Sequence, residues 1–275
     1  MAGFLSEMAQ SALGRVTEAR SRISEADLWA RAQELPPPPQ LKLHAGGFDV
    51  IAELKLNSPA QGRLGLVTDD LEARVVDYAQ GGAAAVSVLT EPTRFDGSME
   101  HLERSSQALA GHGVPAMRKD FLFDPYQVIE ARVAGAGGVL VILRMIDRSR
   151  IIELLDCAAM LKLFVLLEGF DEDDLALGAE IVTERKATAE QLLLGVNARN
   201  LDTLQVVPDR LIELAPKLPA GVPHVAESGV GSPDEAGALA RAGYQLALVG
   251  TALMSTPNPR GLIAQMLKAA RGSGG

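Results

Sequence analysis

From about Phe48 onward the chain repeats one unit eight times: a short apolar run followed by an amphipathic segment. The runs lie near 49–54, 83–89, 114–118, 138–143, 163–168, 192–197, 222–227 and 245–250. Helical patterns fall near 70–80, 98–111, 125–134, 147–161, 171–183, 207–215, 232–242 and 258–270. Short buried runs in register with helical segments describe a ring of parallel strands, and a closed (β/α)8 TIM barrel of the α/β class takes about 250 residues in one domain. The 275 residues here leave no room for a second full domain. An open doubly wound sheet is the alternative, but the runs are evenly spaced and no Gly-x-Gly-x-x-Gly fingerprint follows the first of them. Ser232-Pro233-Asp234-Glu235 offers a cap, a first-turn proline and two carboxylates at a helix start, while Gly81-Gly82 and Gly243 suit helix ends.

Ahead of the barrel, residues 1 to about 35 read as helical, with Leu5, Met8, Ala12 and Val16 at helical spacing and a second start at Ser24-Glu25-Ala26-Asp27. Pro36 to Pro39 end that pattern, because four prolines cannot continue a helix. The expected organisation is a helical extension over 1–47, a barrel over 48–271 and a disordered glycine-rich tail over 272–275. The apolar stripe of the extension needs a surface to cover.

A net charge of −9 argues against a general nucleic-acid surface, which rests on clustered Lys and Arg, though a local cationic pocket for a small anion remains open. Cys157 is the single cysteine, so no disulfide forms within the chain. Glu7 and Arg15 interrupt the N-terminus where a signal peptide would be apolar, and no stretch approaches the roughly 20 apolar residues that span a bilayer. The expectation is a soluble, cytoplasmic protein with no membrane partner.

Five runs end in polar groups: Glu53 and Lys55, Lys119, Glu168, Asn197 and Arg199, and Glu227-Ser228-Gly229. Glu53 and Lys55 stand two apart and therefore share one side of a strand. If that side is the barrel interior, they converge at the top with Lys119 and Glu168 as acid and base groups tuned by one another. An ordinary ion-pair network at the barrel mouth is the competing reading. Ser228-Gly229 after the seventh run and Gly250-Thr251 after the eighth stand where such barrels present backbone N–H groups to phosphate. Asn197 and Arg199 suit a hydroxyl and an anionic group, although Arg199 could equally close a loop by ion pairing. Phe95 and Phe121 flank loops beside the polar rim, where a ring suits an aromatic substrate; Phe123 reads as a core filler. His44, His101, His112 and His224 have no metal-like spacing, so no metal is expected, and His224 reads as structural.

Taken together, these residues resemble the indole-3-glycerol-phosphate synthase family. Glu53-Leu-Lys55-x-x-Ser58-Pro59-x-x-Gly62, Ser87-Val-Leu-Thr90, Phe95-x-Gly97-Ser98, Arg118-Lys119-Asp120-Phe121, Gln127, Glu168, Gly195-Val-Asn197-x-Arg199-x-Leu201, Glu227-Ser228-Gly229 and Val249-Gly250-x-Ala252-Leu253-Met254 follow in the family's order. The resemblance implies a barrel with extra N-terminal helices over its mouth. It also implies conversion of 1-(2-carboxyphenylamino)-1-deoxyribulose 5-phosphate to indole-3-glycerol phosphate, carbon dioxide and water in tryptophan biosynthesis, with no cofactor. Position by position it implies Lys119 as general acid, Glu168 in later proton transfers, and Lys55 on the anionic substrate. It further implies Glu53 as the orienting carboxylate, Asn197 and Ser228 as positioning groups, Arg199 at the anionic end, and Gly229, Gly250, Thr251 and Ser58 at phosphate. The implied partners are a small phosphorylated substrate and, as an open point, other enzymes of the tryptophan pathway. Departures stand at Leu56, Ala60, Gly137, Gly169-Phe170 and Ala198, where the family commonly carries other residues; they leave open a specialised paralogue. A sugar-phosphate isomerase of the phosphoribosylanthranilate isomerase type and a non-catalytic ligand-binding barrel are the alternatives.

Overall fold

In the computed structural model the described residues are 3–58, 62–63, 70–186, 191–201 and 203–272. Eight parallel strands close into a barrel in sequential order. They are β1 (Asp49–Leu54), β2 (Ala85–Leu89), β3 (Ala116–Lys119), β4 (Gly138–Ile142), β5 (Phe164–Gly169), β6 (Leu192–Asn197), β7 (His224–Glu227) and β8 (Leu246–Val249). Each falls within or overlaps an apolar run of the sequence. The barrel helices are α3 (Leu71–Gln80), α4 (Met99–Leu109), α5 (Pro125–Val133), α6 (Arg148–Met160), α7 (Glu172–Glu184), α8 (Arg210–Leu214), α9 (Pro233–Ala242) and α10 (Pro259–Arg271). α9 starts as its sequence indicates: Ser232 and Glu235 form a reciprocal capping box, Pro233 sits in the first turn, and Gly243 closes the helix in a left-handed conformation. The α8 pattern begins later than its hydrophobic spacing suggests, because Asp209 adopts a left-handed φ of 60° immediately before it.

Strand alternation separates two cores. Ile51, Ala85, Met117, Leu140, Leu166, Leu193, Val225 and Leu246 point inward and fill the barrel. Their neighbours, such as Val50, Val86, Val139, Val165 and Ala247, pack against the helices. The same parity carries upward to Glu53, Lys119, Glu168, Asn197 and Glu227, so the residues that crown the strands continue the inward-facing columns.

The N-terminal segment forms α1 (Phe4–Arg22) and α2 (Glu25–Glu34), with the Ser24 side chain capping α2 through the Asp27 amide. Met8 and Ala12 join the barrel-interior cluster, whereas Val16, Leu28 and Ala32 join the outer one. After the prolines, Leu41 enters the interior cluster too. The Pro39 carbonyl passes so close to Gly137 that a Cβ there would lie 2.4 Å away, which accounts for glycine at that departure. The extension therefore shares both cores of the barrel. Two short helices, Pro92–Phe95 and Thr251–Ser255, and a strand pair of Asn57–Ser58 with Gly62–Arg63 were not legible as elements in the sequence. The Ser58 side chain, Pro59, Ala60 and the end of the tail lie outside the described residues. No described helix is long and apolar enough to cross a membrane.

Candidate active site

At the C-terminal end of the barrel a cavity of about 480 Å3 opens over the strand crowns. Its polar floor holds Glu53, Lys55, Lys119, Glu168, Asn197 and Glu227; Leu89, Leu140, Ile142 and Leu248 supply the apolar background. Ionic groups buried in such a setting must satisfy one another, because removing them from water is costly unless each finds a partner.

Lys55 Nζ lies 2.8 Å from Glu53 Oε1, as the shared strand face anticipates. Burial alone would raise the Glu53 pKa, but Lys55 and Lys119 outweigh it and hold the carboxyl below its ordinary range. Gly250 makes that pair feasible: a Cβ there would stand 2.4 Å from Glu53 Oε1 and 3.3 Å from Lys55 Nζ. Across the floor, Lys119 Nζ sits 3.3 Å from Glu168 Oε2 and 3.4 Å from Glu227 Oε2. Burial would lower the Lys119 pKa, yet Glu168, Glu227 and Glu53 surround it and raise it. Both separations exceed those of tight charge-assisted hydrogen bonds, leaving the ammonium shared and available to a third partner.

Glu168 also accepts a short hydrogen bond from Asn197 Nδ2. Asn197 Oδ1 in turn accepts from Ser228 Oγ at 2.8 Å and from the Arg199 amide at 2.9 Å. One amide side chain thus ties three strand ends together. The Arg199 guanidinium closes its loop, as one of the two sequence readings held, by donating to the Leu204 carbonyl, and it forms no ion pair among the described residues.

Glu227 was quoted in the sequence only as part of a motif, with Ser228 taken as its functional member. It is a third carboxylate of the floor. Burial, then the charge of Glu168, drives its pKa up to about 8 against the opposing pull of Lys119. Its Oε1 has no hydrogen-bond partner among the described residues and rests over Gly195, where a Cβ would be 2.1 Å away. Parity with Val225 was the available signal: Glu227 crowns β7 as Glu168 crowns β5.

Phe95 and Phe121 line the cavity as expected, with ring centroids 6.3 Å apart. Phe4, missed in the sequence, meets Phe121 edge-on at 5.8 Å and completes an aromatic wall with a residue from α1. Phe123 packs against the core clusters. Ser228 and Gly229, after β7, adopt consecutive left-handed φ values of 67° and 79°, and they line the cavity together with Gly250 and Thr251 after the neighbouring strand β8. His224 lies at the far end of β7, buried, with Nε2 2.8 Å from the Pro219 carbonyl, which fits its structural reading.

A family model described as indole-3-glycerol phosphate synthase matches residues 5–266. The chain belongs to the indole-3-glycerol phosphate synthase family. It is 41% identical over 254 residues to the indole-3-glycerol phosphate synthase of a Nocardioides species, covering 91% of this chain and 93% of that protein. It is 35% identical over 267 residues to the one from Streptomyces griseus, covering 96% and 95%. Among solved structures, 3-hexulose-6-phosphate synthase from Salmonella typhimurium aligns with a TM-score of 0.60 over 81% of this chain and 98% of its own, at 16% identity, a likeness of fold alone.

Proposed function

We propose that this chain closes the indole ring of 1-(2-carboxyphenylamino)-1-deoxyribulose 5-phosphate, releasing carbon dioxide and water to give indole-3-glycerol phosphate for tryptophan biosynthesis, and that it does so in the cytoplasm. The observation that carries the residue assignments is the Lys119 ammonium held loosely between Glu168 and Glu227 on the floor of an aromatic-walled cavity.

In the first step the ring carbon bearing the carboxylate attacks the ketone, and Lys119 protonates the oxygen as it becomes an alkoxide. A raised lysine pKa does not prevent this, since an alkoxide is far more basic than an amine, and the fixed charge stabilises the oxyanion as it forms. The carboxylate then leaves as carbon dioxide, and its bonding electrons restore the aromatic ring. Dehydration follows: the new hydroxyl departs as water after receiving a proton, and the adjacent methylene loses one to a base. Glu168 serves these transfers, and Glu227, which retains a proton near neutral pH, is a second acid or base within reach of the same lysine.

Lys55, oriented by Glu53, meets the anionic substrate, and Asn197 and Ser228 position the intermediate. The aromatic wall of Phe95 and Phe121 seats the carboxyphenyl ring, with Arg199 at the anionic end. Gly229, Gly250 and Thr251, helped by Ser58, hold the phosphate. The extension over 1–47 covers the mouth of the 48–271 barrel, and Phe4 and Met8 are its points of entry into the site and the interior core.

Purified protein given this substrate, without added cofactor, should produce the fluorescent indole product. A folded protein that binds the substrate by calorimetry and yields no product would sink the synthase reading in favour of a binding barrel.

A further inference from the structure

The carboxylate of Asp120, next to Lys119, is enclosed and accepts from four separate groups. Arg15 of α1 grips it with both terminal nitrogens, at 2.7 and 2.8 Å. Arg118 Nη2 reaches it at 3.0 Å, Thr90 Oγ1 at 2.8 Å and the Phe121 amide at 2.8 Å. Those donors belong to the N-terminal helix, strand β3, the end of β2 and the loop carrying the aromatic wall. Arg118 is itself buried and anchored to α5 through the Gln127 carbonyl and Glu130.

A bidentate arginine fixes a carboxylate in orientation as well as in place. We propose that Arg15 is a positioning residue for the reaction: its hold on Asp120 sets the strand end from which Lys119 rises and the loop from which Phe121 faces the substrate ring. The extension would then act on catalysis through one buried ionic joint as well as by covering the mouth. This rests on the reading of Lys119 as proton donor. Another contact of α1, Glu7 with Arg94 at 3.0 Å, is half exposed on both sides and touches neither Lys119 nor Phe121, so it serves as an internal control.

The test uses full-length Arg15→Met, Arg15→Lys, Asp120→Asn and Glu7→Gln proteins, with melting temperature, kcat and KM measured for each. Arg15→Met should lower kcat about 10–30-fold, the scale of a modest misplacement of reacting groups, while KM stays within about threefold. Arg15→Lys, which keeps the charge but not the fork, should recover part of that loss, and Glu7→Gln should stay within about twofold of the parent. Arg15→Met combined with Asp120→Asn should cost less than the product of the two single losses, since both break one joint. A folded Arg15→Met enzyme with parental kcat would overturn the proposal, and so would equal losses from Arg15→Met and Glu7→Gln, which would indicate cover alone. If Arg15→Met does not fold, Arg15→Lys decides: parental kcat in that variant overturns the proposal. An inactive parent would instead refute the synthase reading beneath it.

Discussion

The two ends of this barrel both bury charge, and they do so to opposite ends. At the N-terminal floor Asp49 accepts from Arg271 Nη2 at 2.7 Å and from the His44 amide at 2.8 Å, while Arg271 Nε donates to the Phe48 carbonyl. Each group there has its own partner, and Leu41 is buried in the barrel-interior core. At the C-terminal rim three carboxylates share two ammonium groups, one carboxylate oxygen has no partner among the described residues, and a cavity lies above. Burial of charge does not by itself mark function. Shared partners and an acceptor left over do, because such a cluster can gain or lose a proton without breaking a completed network.

The largest effect that would sharpen this contrast is at Lys119. Lys119→Ala should reduce kcat by about 10²-fold or more, because a positioned general acid contributes roughly 10²–10⁴. Turnover within threefold of the parent would remove Lys119 from the mechanism. Glu168→Gln should follow with a smaller loss, of about 10-fold or more, since the amide keeps the Asn197 contact but cannot exchange a proton. Gly250→Val comes next. Its Cβ would strike the Glu53 carboxylate, so it should lower kcat as well as raise KM, by about 10-fold in kcat/KM. A change confined to KM would point to phosphate exclusion alone.

Glu227 offers a test in the pH dimension. Its folded pKa of about 8 lies well above the value near 4.3 expected for an unfolded glutamate. The folded state therefore holds a proton that unfolding releases, so the contribution of Glu227 to stability is full below about pH 4 and is lost as pH rises towards 8. Glu227→Gln mimics the protonated form and does not titrate. At pH 8 it should melt about 2–4 °C above the parent, the shift that roughly 1 kcal/mol gives in a domain of this size, while its turnover falls. A difference in melting temperature between parent and variant that does not change across pH 5–8 would show that Glu227 is an ordinary ionised partner of Lys119.

Most of the barrel was legible because its signal is periodic. Eight apolar runs give eight strands, and the Glu53–Lys55 spacing gives a shared face, since strand alternation is a fixed geometric rule. What escaped depends on contacts distant in sequence. Phe4 reads as the start of an amphipathic helix, and only the folding of α1 across the rim brings it to Phe121. Glu227 is marked in the sequence only by its parity with Val225; its raised pKa comes from burial and then from Glu168 on a different strand. The departures follow the same logic. Gly169-Phe170 is unremarkable as a dipeptide, yet Phe170 lies beneath Arg144 at 4.9 Å, and its amide donates to Asp174.

The smallest catalytic effect should come from the opposite floor, and it is the one that can break the comparison. Arg271→Ala leaves the buried Asp49 carboxylate with the His44 amide as its remaining side-chain-independent donor, so the loss should appear in folding. A melting temperature about 2–4 °C lower, corresponding to roughly 1 kcal/mol, is expected, with kcat and KM within about twofold of the parent. Strand β1 carries Asp49 at one end and Glu53 at the other, so a mechanically coupled barrel would pass the disturbance up to the Glu53–Lys55 pair. A tenfold fall in kcat from Arg271→Ala would reveal that coupling and erase the division between a structural and a chemical end. An unchanged kcat would show that the rigid column of Ile51 and its inward-facing neighbours insulates the two.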